Sequence, residues 1–283
     1  MELSIIKLNF KVMFGPIEWG IDPQIFEGLP FRYYSILFVT GLALGYWVVK
    51  RIYEREKLSV EDLDRLAFYI FIGTVVGARL GHCLFYEPDY YLSRPWEMIL
   101  PIKIDDGGVR FTGFLGLASH GGILGVFIAI WLYCRKTKTK IFSVLDKVAI
   151  GGSLTAVFIR LGNFMNSEIL GKATGGDYGV IFTRVDQIPR HPAQLYESIA
   201  YLIIFIVLSR YYRKRGKDYQ DGFVFGLFFT LLFIARFTIE FFKENQVAFE
   251  DNLSFNMGQL LSIPFIIAGL VVMWWKRKGG KAN

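Results

Sequence analysis

Seven ionisable residues stand inside runs that are otherwise apolar: Arg79, Arg160, Arg236, Glu197, Glu240, His82 and His120. A charged side chain at a bilayer centre costs roughly 2.5–3.5 kcal/mol even on the lenient insertion scale. Such groups persist where they pair or work. Guanidinium forks match phosphate oxygens, and burial strengthens the attraction, so three arginines point to an anionic phosphate. Asn163 and Asn166 follow Arg160 at intervals of three; on a continuing helix the three side chains share an arc of about 120°. They would wall a polar pocket with donors and acceptors. A neutral histidine nearby could act as general base. The inventory reads as an enzyme working on a phospholipid headgroup.

Each group also has a plainer reading. Arg236 and Glu240, four apart on one helix, could pair with each other. Arg79 could reach outward to headgroups along its apolar stem. Glu197 could orient a neighbour. His120 could be a satisfied core histidine, but Gly121 and Gly122 remove side-chain bulk beside it, as an entering substrate would require. Pro192 suits a first helical turn, which gives His191, Gln194 and Tyr196 a local structural reading.

The elements that must position these groups are membrane helices. Of the 283 residues, 53% are hydrophobic and 17% aromatic, with mean hydropathy +0.37, well beyond an ordinary soluble domain. Runs near the ~20 apolar residues needed to cross a bilayer predict seven spans, at about 31–49, 66–86, 113–133, 145–166, 193–209, 222–242 and 259–275. The class expected is an all-α integral membrane protein built as one enzyme domain over 1–283. Residues 1–30 read as an interfacial arm, with Phe10, Phe14, Trp19 and Phe26 among charges. The 87–112 and 167–192 connections read as an outer cap. No cleavable signal peptide is expected.

Charge sets the orientation. Of 32 Lys and Arg, 19 fall in 50–65, 134–147, 209–221 and 276–283; ten fall in the alternating segments, which hold 15 of the 25 acids. This positive-inside pattern places the N-terminus outside and the C-terminal KRKGGK in the cytoplasm, and it argues against a nucleic-acid partner. Spans 2, 4 and 6 then run outward with their arginines in the outer half. His120 and Tyr34 fall at the same level, so residues from five spans point to one depth near the outer leaflet. Glycines four apart, at 73, 77 and 81, at 121 and 125, at 41 and 45 and at 222 and 226, predict close helix packing. Cys83 and Cys134 lie in no ligand spacing and read as small buried apolar residues.

The motifs GARLGH, SHGGILG, RLGNFMNSE, RHPAQLYE and ARFTIEFF, with RYYS at 32, resemble the prolipoprotein diacylglyceryl transferase family over nearly the whole chain. The resemblance implies an enzyme of the bacterial cytoplasmic (inner) membrane, multi-pass, with its active site toward the outer leaflet. It would move the diacylglyceryl group of phosphatidylglycerol onto the lipobox cysteine of preprolipoproteins, form a thioether and release glycerol phosphate. That is the first step of lipoprotein maturation, with no metal or cofactor. It implies phosphatidylglycerol contacts for Arg160, Asn163, Asn166, Glu168, Gly171 and Arg79. It implies catalytic roles for His120, Arg236 and Tyr34, with His120 either taking the thiol proton or ordering the site. Gly121, Gly122, His191, Gln194, Tyr196, Glu197 and Glu240 would support them, and Gly171 would let the chain turn into a loop. Many members carry a tyrosine four residues before the span 6 arginine; here it is Leu232, so its hydroxyl is absent or comes from elsewhere, Tyr33 or Tyr196 being candidates.

A competing reading is an anionic-lipid transporter or scramblase, which also wants intramembrane arginines. It would spread charge through both leaflets or show two inverted repeats. The charges here gather near one leaflet, and no repeat is evident.

Overall fold

A computed structural model describes residues 15–26, 31–100, 102–105, 108–111, 116–214, 219–244 and 255–279. Phe10 and Phe14 of the expected arm, the first residues of the expected third span and Lys281 lie outside the described residues. In chain order the helices are α1 (Tyr33–Arg55), α2 (Val60–Phe85), the short α3 (Pro88–Leu92) and α4 (Pro95–Ile99), α5 (Ser119–Thr137), α6 (Ile141–Met165), α7 (Ala193–Lys214), α8 (Phe223–Ile239) and α9 (Met257–Gly279). A 3-10 turn, Glu240–Phe242, extends α8.

Six of these, α1, α2, α6, α7, α8 and α9, are long and apolar enough to cross a membrane. The chain is therefore a mostly helical, multi-pass membrane protein. The expected third span corresponds to α5, which is shorter at 19 residues, carries His120 in its first turn and has Arg135 and Lys136 in its last. Short strands accompany the helices. Strands β1 (Ile17–Trp19), β4 (Val180–Phe182) and β5 (Pro189–Arg190) form a sheet in the order β1-β4-β5, while β2 (Ile102–Asp105) pairs antiparallel with β3 (Gly108–Phe111).

The chain divides into two compact units, Met1–Val49 with Asp146–Asn283, and Lys50–Leu145. In the second unit, α2 opens on Ser59, whose hydroxyl accepts the Asp62 N–H at 3.3 Å, with Glu61 and Asp62 favouring the positive end of the helix. It packs on α5 backbone to backbone. A Cβ on Gly77 or Gly121 would strike the other's carbonyl oxygen, and one on Gly125 would strike that of Gly73. Lipid tails are as apolar as the helices, so close van der Waals approach has to supply what burial supplies in water. This corrects the reading of Gly121 as space for a substrate; Gly122 meets its neighbours only at ordinary van der Waals distance. The room beside Gly121 is filled by Gly77 and Gly81, and a Cβ on Gly122 would meet Ala78 at 3.5 Å. The outward side chains are large and apolar: Phe68 is 65% exposed and Phe71 61%. In water that face would be a liability; facing lipid it is at ease.

In the first unit α1 and α6 meet through Gly41, Gly45, Gly151 and Thr155, with the Thr155 hydroxyl donating to the Gly41 carbonyl at 2.9 Å. Asp146 of α6 is fully buried and caps the start of α8. It accepts the Gly222 and Phe225 N–H groups, each at 2.6 Å, and the Tyr219 hydroxyl. Those N–H groups would otherwise be orphaned at a helix end, so one carboxylate fixes where α8 begins. Gly222 belongs to this cap, with φ 104°, and Gly226 makes close contact with Gly269 and Met273 of α9. Asn256 and Gln259 close α9 reciprocally: each side-chain oxygen accepts the other's backbone N–H, at 2.9 and 3.1 Å. The far end of α6 is plugged into the sheet. Phe164 packs on Val180 and Phe182, with the Trp19 ring 4.5 Å away.

Candidate functional site

Arg160 lies a turn and a half before the end of α6. Its Nε is 3.0 Å from Glu197 Oε2 of α7, and its Nη1 donates to Asn163 Oδ1 at 3.3 Å. The Arg160 Nε and Glu197 Oε2 atoms, both buried, are close without an aligned hydrogen bond, so the contact is an ion pair rather than a directed bond. Asn163 passes the chain of contacts on. Its Nδ2 donates to Glu168 Oε2 at 3.2 Å, and Asn166 Nδ2 donates to Glu168 Oε1 at 3.0 Å. Gln194, fully buried in the first turn of α7, donates to the Glu168 carbonyl at 2.6 Å. Arg160, Asn163, Asn166 and Glu168 thus form one connected wall, as the spacing of three predicts. Glu168 touches the two asparagines, and Asn163 stands between it and Arg160.

The turn after α6 differs from expectation. Ser167 and Ile169 take the left-handed conformation, with φ 55° and 57°, and Gly171 does not. Gly171 is needed for close approach instead. A Cβ there would overlap the His191 carbonyl oxygen and lie 2.8 Å from that of Phe242. It pairs with Lys243 in an isolated bridge, so the segments after α6, before α7 and after α8 meet at this glycine.

Glu197 is 1% exposed and faces two cations, Arg160 and Lys243, whose Nζ is 3.7 Å from Oε1. Lys243 also donates to Glu240 Oε2 at 3.3 Å. Burying an ion requires compensation, and here two cations and two anions balance in one cluster. The expected Arg236–Glu240 pair does not form, because Glu240 turns to Lys243. Among the described residues, the Arg236 side chain has no ion pair or side-chain hydrogen bond. Among the described residues, the cluster thus leaves Arg236 without an acidic partner.

Lys243 was hidden in the sequence as an apparent loop charge. A second residue missed is Tyr201, one turn past Glu197 on α7. It is buried, with the Arg160 guanidinium over its ring at 6.0 Å from the centroid, and lies within electrostatic reach of Arg236. The i, i+4 spacing from Glu197 was the available signal. Tyr196 bonds His191 Nδ1 at 3.2 Å, and both rings pack on Phe242. Tyr34, at the start of α1, lies against Gly162, whose added Cβ would sit 2.8 Å from the tyrosine ring, and it feels the charges of Glu168 and Arg160.

Arg190 ties together the segments after α6, before α7 and after α8. Its Nε and Nη2 donate to Asp186 Oδ2 at 3.1 and 2.5 Å, and its Nη1 donates to the Gly171 carbonyl at 3.2 Å and to Glu244. Hydrogen bonding from Arg190 holds the Asp186 carboxyl below its ordinary range.

In the other unit Arg79 is buried at 6% exposure. It donates to the carbonyls of Glu97 at 2.5 Å, Met98 at 3.3 Å and Gly116 at 3.5 Å, and stacks on Tyr91 at 4.7 Å. It binds protein carbonyls rather than reaching outward to headgroups. His82 packs against Tyr86 and Tyr91, with Nε2 3.5 Å from Glu87. His120 is exposed in the first turn of α5, and its ring has no partner among the described residues. It is thus not a satisfied core histidine. Among the described residues, no three His, Cys, Asp or Glu are placed to hold a metal ion.

Comparison with known proteins places this geometry. A family model described as prolipoprotein diacylglyceryl transferase matches residues 23–275. The chain is 51% identical over 265 residues to the phosphatidylglycerol–prolipoprotein diacylglyceryl transferase of Bacteroides fragilis, covering 93% of this chain and 96% of that one. It is 50% identical over 258 residues to the enzyme of the same name from Tolumonas auensis, covering 90% and 95%. With that of Chloroherpeton thalassium the identity is 42% over 261 residues, covering 91% and 93%.

Proposed function

The chain belongs to the prolipoprotein diacylglyceryl transferase family, and from that premise we propose that it transfers the diacylglyceryl group of phosphatidylglycerol to the lipobox cysteine of a prolipoprotein. The thiol sulfur attacks the glycerol carbon that bears the phosphate. A carbon–sulfur bond forms, the carbon–oxygen bond breaks, and the electron pair leaves on the phosphate oxygen as glycerol phosphate. The thiol proton passes to a base. Negative charge grows on the departing phosphate, and preset cations stabilise growing charge most where water is excluded.

The observation that carries this reading is the division of labour among the cations of α6, α8 and the turn after α8. Glu197 and Glu240 engage Arg160 and Lys243, and among the described residues Arg236 has no acidic partner. Arg236 is assigned the phosphate together with the outer N–H groups of Arg160. Asn163, Asn166 and Glu168 wall the headgroup, Tyr34 adds a hydroxyl, and Gly171 keeps the surrounding segments in register. Arg79 acts through the carbonyls it holds. For His120 the exposed ring, without a partner among the described residues, favours proton transfer over a structural role. The charge bias supports seven spans, with α5 as the third, the N-terminus outside, and the site toward the outer leaflet.

The test uses purified chain with phosphatidylglycerol and a lipobox peptide. Glycerol phosphate should be released only when the peptide is present. Arg160→Ala and Arg236→Ala should abolish release; intact release in both would overturn the assignment. Near-normal turnover by His120→Asn would remove its role as base.

A further inference from the structure

A polar cleft of about 340 Å³ opens in the first unit, lined by Asp22, Pro23, Gln24, Arg32, Asn166, Glu168 and Arg184. Its size is at the small end of ligand pockets, which run from roughly 300 to 1,000 Å³, and suits a headgroup-sized molecule rather than a whole lipid. Its composition is specific. Arg32 and Arg184 are exposed, and among the described residues neither side chain has an acidic partner. The acids are engaged: Asp22 Oδ1 accepts the Gln24 N–H at 2.8 Å, and the two Glu168 oxygens take the amides of Asn163 and Asn166. Two free guanidiniums ask for an oxyanion, while the carboxylates and the Gln24 amide suit neighbouring hydroxyl groups.

We infer that this cleft is a release site for a small polyol phosphate, the glycerol phosphate formed in the reaction. The inference rests on the transferase reading above. Two points favour the product over the lipid. The lipid phosphate is a diester with one negative charge. Once the carbon–oxygen bond breaks it is a monoester, carrying about −1.5 to −2 at neutral pH. Two guanidiniums therefore favour the product more than the substrate. In addition, the cleft shares Asn166 and Glu168 with the wall that leads to Arg160, so a leaving headgroup meets it next. The carboxylates moderate the field, which suits a site that must let its ligand go.

The experiment is equilibrium dialysis of the detergent-solubilised full chain with radiolabelled glycerol phosphate, competed by unlabelled glycerol phosphate or inorganic phosphate. Inorganic phosphate lacks the hydroxyls and should compete more weakly. In the Arg32→Gln/Arg184→Gln variant, binding should weaken by about tenfold or more, as expected when bonds to a charged group are lost. The constant for inhibition of transfer by glycerol phosphate should rise by the same factor, with KM for phosphatidylglycerol unchanged. Arg32→Lys/Arg184→Lys should keep most of the binding, which separates lost charge from misfolding. A raised KM for phosphatidylglycerol with unaltered glycerol phosphate binding would give the cleft to the lipid headgroup and overturn the product assignment. No change in either would overturn the site. Because wild-type binding is read without turnover, a chain that binds but does not transfer would sink the transferase reading alone.

Discussion

Glu197 Oε2 lies 3.0 Å from Arg160 Nε, while its other oxygen faces Lys243 Nζ at 3.7 Å. One buried carboxylate from α7 thus steadies a cation of α6 and a cation just past α8. Its position sets two edges of the site at once: the tilt of the Arg160 guanidinium and the place where Lys243 sits. Arg160 keeps Nη groups to present to a ligand because Glu197 occupies its Nε side.

Glu197→Gln should therefore harm both stability and turnover. Removing one partner of a buried ion pair costs on the order of 3 kcal/mol or more. The midpoint of thermal unfolding should fall. Phosphatidylglycerol turnover should drop by about tenfold or more, since a misplaced guanidinium stabilises growing charge poorly. Activity at the wild-type level would show that Arg160 does not need this carboxylate.

Lys243 keeps Glu240 away from Arg236. In Lys243→Met, Glu240 loses its cation and lies one turn from Arg236, within reach of an i, i+4 pair. Arg236 would then be neutralised, and KM for phosphatidylglycerol should rise while the protein stays folded. The double variant Lys243→Met/Glu240→Gln removes the competitor and should recover much of the loss. Without recovery, the shielding role assigned to Lys243 fails, and a double-mutant cycle in KM gives the coupling directly.

What could be read in advance follows from which physics is local. The helices and intramembrane charges were legible because hydropathy and charge alternation act along the chain. The wall from Arg160 to Asn166 was legible because helical spacing puts residues three apart on one face. Partner choice was less accessible. The i, i+4 rule offered Arg236 to Glu240, but α8 gives way to a 3-10 turn at Glu240, and that tighter winding brings Lys243 beside Glu240. Gly121 looked like room for substrate because its neighbour in space, Gly77, is 44 residues away in the numbering. Lys243 and Tyr201 were passed over for the same reason: their value comes from charges on other helices.

Gly171→Ala is expected to be costly at a position with no catalytic atom. The added methyl would overlap the His191 carbonyl oxygen and crowd that of Phe242. Backbone cannot swing aside as a side-chain tip can, so the cost should be about 1–3 kcal/mol, typical of overpacking. Unfolding should come earlier and turnover should fall, because Lys243 shares the bridge with Gly171. A variant with unchanged melting and activity would mean that these segments part easily.

Acid should loosen the segments that join α6, α7 and α8 in the first unit through Asp186. Hydrogen bonds from Arg190 depress its folded-state pKa, so between that value and the ordinary aspartate value of about 3.9 the unfolded chain binds more protons than the folded one. Stability then rises with pH across that window. The contribution is fully present above the unfolded value and is lost as pH falls through the folded one. Arg190 also holds the Gly171 carbonyl and Glu244, so protonating Asp186 frees a guanidinium that anchors β5 to the segments after α6 and α8. Thermal unfolding followed from pH 6 down through the carboxylate range should show a falling midpoint in the wild type. Asp186→Asn should begin lower and fall less steeply, since its side chain has no proton to gain. Parallel curves for the two proteins would show that acid loosening has its origin in other carboxylates.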